Sequence, residues 1–442
     1  MQVAAEPPGR NERLLFGAIA LLCGLLHVWA GGATPLKILP DSDVYLGIAA
    51  KPIFSTDFLA AGRPPFVPLV FKLLGRNLAA IRWFQIALSV FAWSFLAWSI
   101  LRFRLGGRWA WGGAIGFLML SLVGFVAQWE AAVLAESISL SLFVLVVGLG
   151  HHVVERPATG RVVAFIAVLS AWVLSRDANA YEALMLGAVL CPLVIVADRR
   201  RRASLLVIVG VTFVLFAGAS WSVNAGKRWV FPALNVLGQR ILVSPEAARY
   251  FVDRGMPSPP ALAERAGKFA SADDWAFYKD PRLESFRQWW FGHGKGTFTK
   301  YLLTHPSYLA TGPARDHQVL TSPDVSYYAP DAYRFVLVSS SSRLLPPWAV
   351  AAAWILVVAG LGVVLIRRQS RRAVYWPGLI CLILTVPLAI LVWHGDAMEL
   401  ERHSVQTAAQ LRVGLCLGAL AIADALGRRK AGRLKWAGPD VK

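Results

Sequence analysis

About ten long apolar stretches run through this chain of 442 residues, and nothing constrains its fold more. They fall near 14–31, 78–101, 109–128, 133–151, 162–174, 181–196, 205–223, 347–366, 375–393 and 405–426. Crossing a bilayer takes roughly 20 apolar residues, and inside lipid the backbone must satisfy its own hydrogen bonds, which a helix does. The sequence therefore predicts an all-α polytopic membrane protein. Composition agrees: 56% of residues are hydrophobic and 16% charged, against about 25% charged in soluble domains. Mean hydropathy is +0.53. The 18 Trp and 23 Phe suit interfacial belts.

A net charge of +19 would suggest nucleic acid in a soluble protein. Here the dense basic clusters, Arg199 to Arg202, Arg367 to Arg372 and Arg428-Arg429-Lys430, each follow an apolar run. Lys and Arg retained in the cytoplasm set topology, so the charge reads as orientation, not as a nucleic-acid footprint. With Arg10 and Arg13 inside, the alternation puts every strong cluster on one face and both termini in the cytoplasm. The first stretch is expected to be an uncleaved anchor, being nearer a full span than a signal peptide's apolar core. The four cysteines all fall within predicted spans without C-x-x-C spacing, so neither a disulfide framework nor a zinc site is expected.

Three parts follow: a transmembrane module over 1–223, an extracytoplasmic segment over 224–346, and further spans with a basic tail over 347–442. The first outer loop, 32–77, is broken by prolines and should carry interfacial helices near 45–50 and 57–61. The long segment reads as a small, mostly helical domain leaning on the membrane part. Ser244-Pro245-Glu246 is a helix start, Gly255 a stop, and helices are expected over 284–290 and 298–303.

Ionisable groups at the membrane surface are the candidates for chemistry. Asp41 and Asp43 stand just beyond the first span, and partial burial beside a like charge raises a carboxyl's pKa toward that of a general base. The alternative is a turn in which Asp caps the following helix. Arg63, before Pro64-Pro65, is either a clamp for a lipid phosphate or a snorkelling side chain. Glu136 opens the fourth span among apolar neighbours, as a functional carboxylate or as packing polarity. Arg176 is a second phosphate ligand by the same logic, with Asp177 beside it read as structural. Between the last two spans, Asp396, Glu399 and His403 share one face if the helix begins at Asp396, with Arg402 alongside. That spacing is no metal signature, and the arginine disfavours a cation. Arg240 follows the seventh span within reach of a phosphate or an acidic neighbour, near Asn235. Trp289-Trp290 and Tyr327-Tyr328 offer aromatic faces for sugars, although adjacent aromatics more often divide into one core and one surface residue.

Asp41…Tyr45 as Asp-x-x-x-Tyr, Arg63-Pro64-Pro65, Glu136-Ser137 and Arg176-Asp177, in this order and at these depths, resemble the GT-C superfamily of lipid-phosphate-dependent glycosyltransferases. That group includes protein O-mannosyltransferases and bacterial aminoarabinose transferases of lipid A. The resemblance covers about 14–197; Gly395-Asp396…Glu399…Arg402-His403 is similar to bacterial members. It implies a GT-C-like bundle in the bacterial cytoplasmic membrane, a polyprenyl-phosphate sugar as donor, and a cell-envelope glycan, lipid or protein as acceptor outside the cytoplasm. It also implies Asp41 as the base. Several relatives have Glu directly after the Asp; here Ser42 intervenes before Asp43, and the distance to Tyr45 favours Asp41. Arg63, with Arg176 or Arg402, would stabilise the departing lipid phosphate, with Tyr45, Glu136, Arg240, Asp396, Glu399 and His403 as further substrate-binding or structural polar groups. No metal or other cofactor is required on this reading, and no nucleotide loop is present. The competing expectations are a lipid-linked sugar flippase, for which repeated halves are lacking, and an O-antigen-ligase-like polymerase, in which residues of the long loop would dominate.

Overall fold

The computed structural model describes residues 8–32, 34–334, 336–337, 347–366 and 375–436. The basic run 367–372 lies outside them. Among the described residues the protein is all-α, and only two isolated β-bridges occur. Among the described residues, seven helices are long and apolar enough to cross a membrane: Arg10–Gly32, Leu78–Phe103, Glu136–Glu155, Asp177–Ile195, Arg201–Ala225, Trp376–Gly395 and Leu400–Gly427. Glu136–Glu155 is central, 83% of its apolar window being buried. It packs on Leu78–Phe103 and Thr159–Val173. Asp177–Val196 pairs with Arg199–Ala225, and Trp376–Gly395 with the final helix.

Seven is fewer than the ten or so expected, and at 162–174 and 109–128 the reason is local. The stretch 162–174 forms a 15-residue helix, Thr159–Val173, about 22 Å long at 1.5 Å per residue. The stretch 347–366 forms one continuous helix, Pro347–Ile366, of 20 residues. The stretch 109–128 is broken: Ala110–Ser121 ends, Val123 is extended, and only short turns follow in Gly124–Ala127 and Gln128–Ala131. Irregular backbone at such depth survives only where protein satisfies it. Gln85 does this, its Nε2 donating to the carbonyls of Glu130 and Ala132 at 3.0 Å each. Lys37 adds a bridge, its N–H reaching Ala131 O at 2.8 Å and its carbonyl accepting from Val133 N at 3.2 Å.

At one end of the bundle, Arg104 closes Leu78–Phe103 in a left-handed conformation and grips Glu12 through two bonds of 2.9 and 2.8 Å. The other end carries the first loop and the long segment. The first-loop helix runs over Pro40–Ala50, starting earlier than expected because Pro40 takes the first helical position and Ser42 Oγ accepts from Leu39 N at 2.9 Å. Both aspartates therefore lie in its first turn, and neither caps it. Thr56–Leu59 and Phe66–Leu73 follow. Gly226 fits this loop because a side chain there would lie 2.3 Å from the Ala60 carbonyl.

The long segment builds its own core from Leu237, Ile241, Phe251, Phe277, Leu283, Phe286 and Trp290. Ser244 Oγ accepts from Ala247 N at 3.3 Å, Pro245–Val252 follows, and Gly255 is left-handed at φ +88°, as the stop signal requires. The expected helix 284–290 appears as Glu284–Trp289, joined by a π-turn to Lys295–Thr304. This unit rests on the membrane part: Trp393 Nε1 donates to Asp316 at 2.8 Å, and Gly312 lies where any side chain would strike the Trp393 ring.

Candidate functional site

Five segments far apart in sequence meet at the loop-bearing end. Arg402, in the first turn of the final helix and 6% exposed, is their hub. Its Nη1 donates to Asp41 Oδ2 at 2.8 Å and to Glu399 Oε2 at 2.9 Å, and its Nε donates to Glu136 Oε1 at 2.7 Å. Arg63 donates to the other oxygen of Asp41. Arg176 stands 3.6 Å from Glu136 and donates to His403 Nδ1 at 3.3 Å. Three guanidinium groups thus interleave with three carboxylates. Burial of charge at this depth is sustainable only with such pairing.

Asp41 sits between two cations, and this reverses the expected direction of its pKa. Burial pushes the carboxyl up, yet Arg63 and Arg402 outweigh burial and hold it below the ordinary aspartate value. Asp43, the like charge expected to raise it, is exposed on another face of the same helix and joins none of these contacts. Tyr45, one turn after Asp41, packs edge-on against Phe71 at 6.2 Å and beneath Arg63 at 5.9 Å. Burial pushes its phenol up to about 12, so it stays protonated.

The turn between the last two spans is not helical, contrary to the expected face of Asp396, Glu399 and His403. Asp396 is extended and Glu399 left-handed at φ +53°, so the helix begins only at Leu400. Asp396 instead accepts from Asn235 Nδ2 and Met398 N, both at 2.9 Å, and lies 3.7 Å from His403. Burial raises the Asp396 pKa, but His403 and these donors lower it further than burial lifts it. Glu399 turns the other way, accepting from the Tyr328 hydroxyl at 2.9 Å. Arg240 does not enter the site. It stacks 3.8 Å over Trp393 and donates to the carbonyls of Trp393 and Asp396, propping the turn from outside. Asp177 is occupied by Arg228 through bonds of 2.9 and 2.8 Å. Among the described residues no three His, Cys, Asp or Glu side chains are grouped as a metal would need.

The tyrosines divide as expected, Tyr328 buried and Tyr327 75% exposed, whereas Trp290 is buried and Trp289 is half-buried against the same core. Tyr328 reaches the site because Lys37 Nζ holds the carbonyls of Tyr327 and Ala329.

Two polar features lie deeper and were not predicted as sites. Below Arg402, Gln406 Nε2 donates to Glu182 Oε2 at 2.7 Å, Ser139 Oγ donates to Gln406 Oε1 at 3.3 Å, and Asn179 Nδ2 donates to Ser139 Oγ at 3.0 Å. His27 meets Glu130 at 3.0 Å and Ser121 at 3.0 Å, all three fully buried. The first was legible as spacing: Arg402, Gln406 and Gln410 recur every four residues, and Arg176, Asn179 and Glu182 every three.

The fold and this site define the class: a multi-pass helical membrane protein with a buried arginine–carboxylate cluster at one end of its bundle. No family model, curated protein or solved structure matches the chain.

Proposed function

We propose that the chain is an inverting glycosyltransferase of GT-C type, with Asp41 as its general base. It would move a sugar from a polyprenyl-phosphate donor to a hydroxyl of a cell-envelope glycan, lipid or protein. The site would face outward from the bacterial cytoplasmic membrane. One observation carries the reading: Asp41 lies between Arg63 and Arg402, 22 and 361 residues away in sequence, so one carboxylate and two guanidinium groups share a half-buried point beside apolar helices.

The chemistry follows from that triangle. A donor phosphate competes with Asp41 for the same two guanidinium forks, which suit phosphate oxygens as well as carboxylate. Arg63 Nε, a buried donor without an acceptor among the described residues, is ready for one such oxygen. As phosphate takes the guanidinium groups, Asp41 loses the charges that depress its pKa and becomes a stronger base. The acceptor oxygen then attacks the anomeric carbon while its proton passes to Asp41. The bond from that carbon to the phosphate oxygen breaks, and its electron pair leaves on the lipid monophosphate, stabilised by Arg63 and Arg402. Attack opposite the leaving group inverts the anomeric centre. Glu136 and Glu399 keep Arg402 aimed throughout.

The test is transfer by purified protein from polyprenyl-phosphate sugars, with the sugar chosen from the envelope glycan that a deletion strain lacks. Asp41→Asn is expected to lower transfer by about 10²- to 10⁴-fold, and Asp43→Asn to leave it near wild type. Full transfer by Asp41→Asn rejects the base; no transfer by wild type from any such donor rejects the class.

A further inference from the structure

The opposite end of the bundle holds a second charged concavity that sugar transfer leaves unused. A cleft of about 450 Å³ opens between the turn after Glu136–Glu155 and the turn before Arg199–Ala225. Arg156, Arg161 and Arg201 line it, with Glu155 and Asp198. Arg161 is 3.7 Å from Glu155, and Arg201 Nε is 3.4 Å from Asp198. Asp198 is further committed to the backbone N–H of Arg201 at 3.0 Å. Arg156 has no side-chain hydrogen bond or ion pair among the described residues. Three cations against two anions leave a net positive wall with one guanidinium uncommitted.

This is not a general property of the basic run. The neighbouring Arg202 is used up, donating to the carbonyls of Val194, Ile195 and Ala197 at 3.1 to 3.2 Å, where the preceding helix ends. Within the cleft, Arg156 keeps its whole guanidinium available, while Arg161 and Arg201 each face one carboxylate. The cleft lies where apolar helices emerge from hydrocarbon, the depth at which lipid phosphates sit.

The geometry points to a binding site for a phosphate group here, filled by the headgroup of an anionic phospholipid from the adjoining leaflet. Arg156 and Arg201 supply paired N–H donors to the phosphate oxygens, and the cleft is large enough for a glycerophosphate headgroup. The site is independent of the sugar-transfer reading and stands if that reading fails.

Native mass spectrometry of the full-length protein in detergent, supplied with equal phosphatidylglycerol and phosphatidylcholine, tests it. Wild type should retain phosphatidylglycerol preferentially. Arg156→Gln, which removes a side chain without protein partners, should weaken that retention roughly fivefold, and Arg156→Gln with Arg201→Gln further. Arg108→Gln removes an exposed arginine outside the cleft and should change nothing. Displacement of phosphatidylglycerol by millimolar inorganic phosphate, with the same dependence on Arg156, would assign the same site to free phosphate. Equal retention of the two lipids, or equal losses in Arg108→Gln and Arg156→Gln, overturns the site.

Discussion

Glu136 and Arg402 stand 266 residues apart in sequence and meet at 2.7 Å, with side chains 1% and 7% exposed. Arg402 also neutralises Asp41 and Glu399, whereas Glu136 has Arg176 at 3.6 Å as a second partner. The two halves of the pair are therefore unequal. Breaking a buried pair by removing one partner costs about 3–5 kcal/mol. Arg402→Gln, which takes a shared cation from three carboxylates and leaves Glu399 with none, is expected at or above that range, and Glu136→Gln below it. Thermal unfolding in detergent at neutral pH ranks them; a larger loss for Glu136→Gln would show that Arg402 is not the hub.

The depressed pKa of Asp41 has a signed consequence. A carboxyl held below its unfolded value contributes stability that is fully present above about pH 4. That contribution fades as pH falls through the lower folded value. Wild type should therefore exceed Asp41→Asn in melting temperature at pH 7, and the gap should narrow as pH is lowered below about 4. A gap independent of pH would mean that Asp41 is not ion-paired.

The spans were legible because apolar length is a local property, and the site's membership was legible because charge is rare in such a chain. What the sequence could not reveal is pairing. The sequence sets Asp41 beside Asp43, but two residues on a helix point about 200° apart, and the partners that matter are Arg63 and Arg402. Likewise 109–128 reads as one apolar run, and Gln85 and Lys37, both distant in sequence, make its broken backbone tolerable. The sequence offers Arg240 a phosphate or an acidic neighbour because nothing local announces Trp393, 153 residues on.

The polar ladder beneath Arg402 predicts an asymmetry between Glu182 and Gln406. Glu182 is 2% exposed and is bonded through an amide donor, with no cation paired to it among the described residues. Glu182→Gln keeps its shape and hydrogen-bonding capacity, and should cost less than about 1 kcal/mol or stabilise. Gln406→Leu leaves Glu182 and Ser139 without that amide and should cost about 1–3 kcal/mol. Equal losses in the two variants would deny the ladder a structural role.

Glu399 combines a strained backbone with two useful bonds. Its φ of +53° places a residue with a Cβ in the left-handed region, while its carboxylate holds Arg402 and Tyr328. Glycine occupies that region without the steric cost, which for other residues is of order 1–3 kcal/mol. Glu399→Ala and Glu399→Gly lose the same carboxylate and differ chiefly in the backbone, so Glu399→Gly should be the more stable by about 1 kcal/mol despite the flexibility it adds to the unfolded chain. Tyr328→Phe separates the other contribution, leaving the backbone alone and removing a hydrogen bond to a charged group worth about 1.5–3 kcal/mol. If Glu399→Ala proves as stable as Glu399→Gly, the turn relaxes freely. The left-handed turn would then have no part in holding the site together, and Glu399 would act through its carboxylate alone.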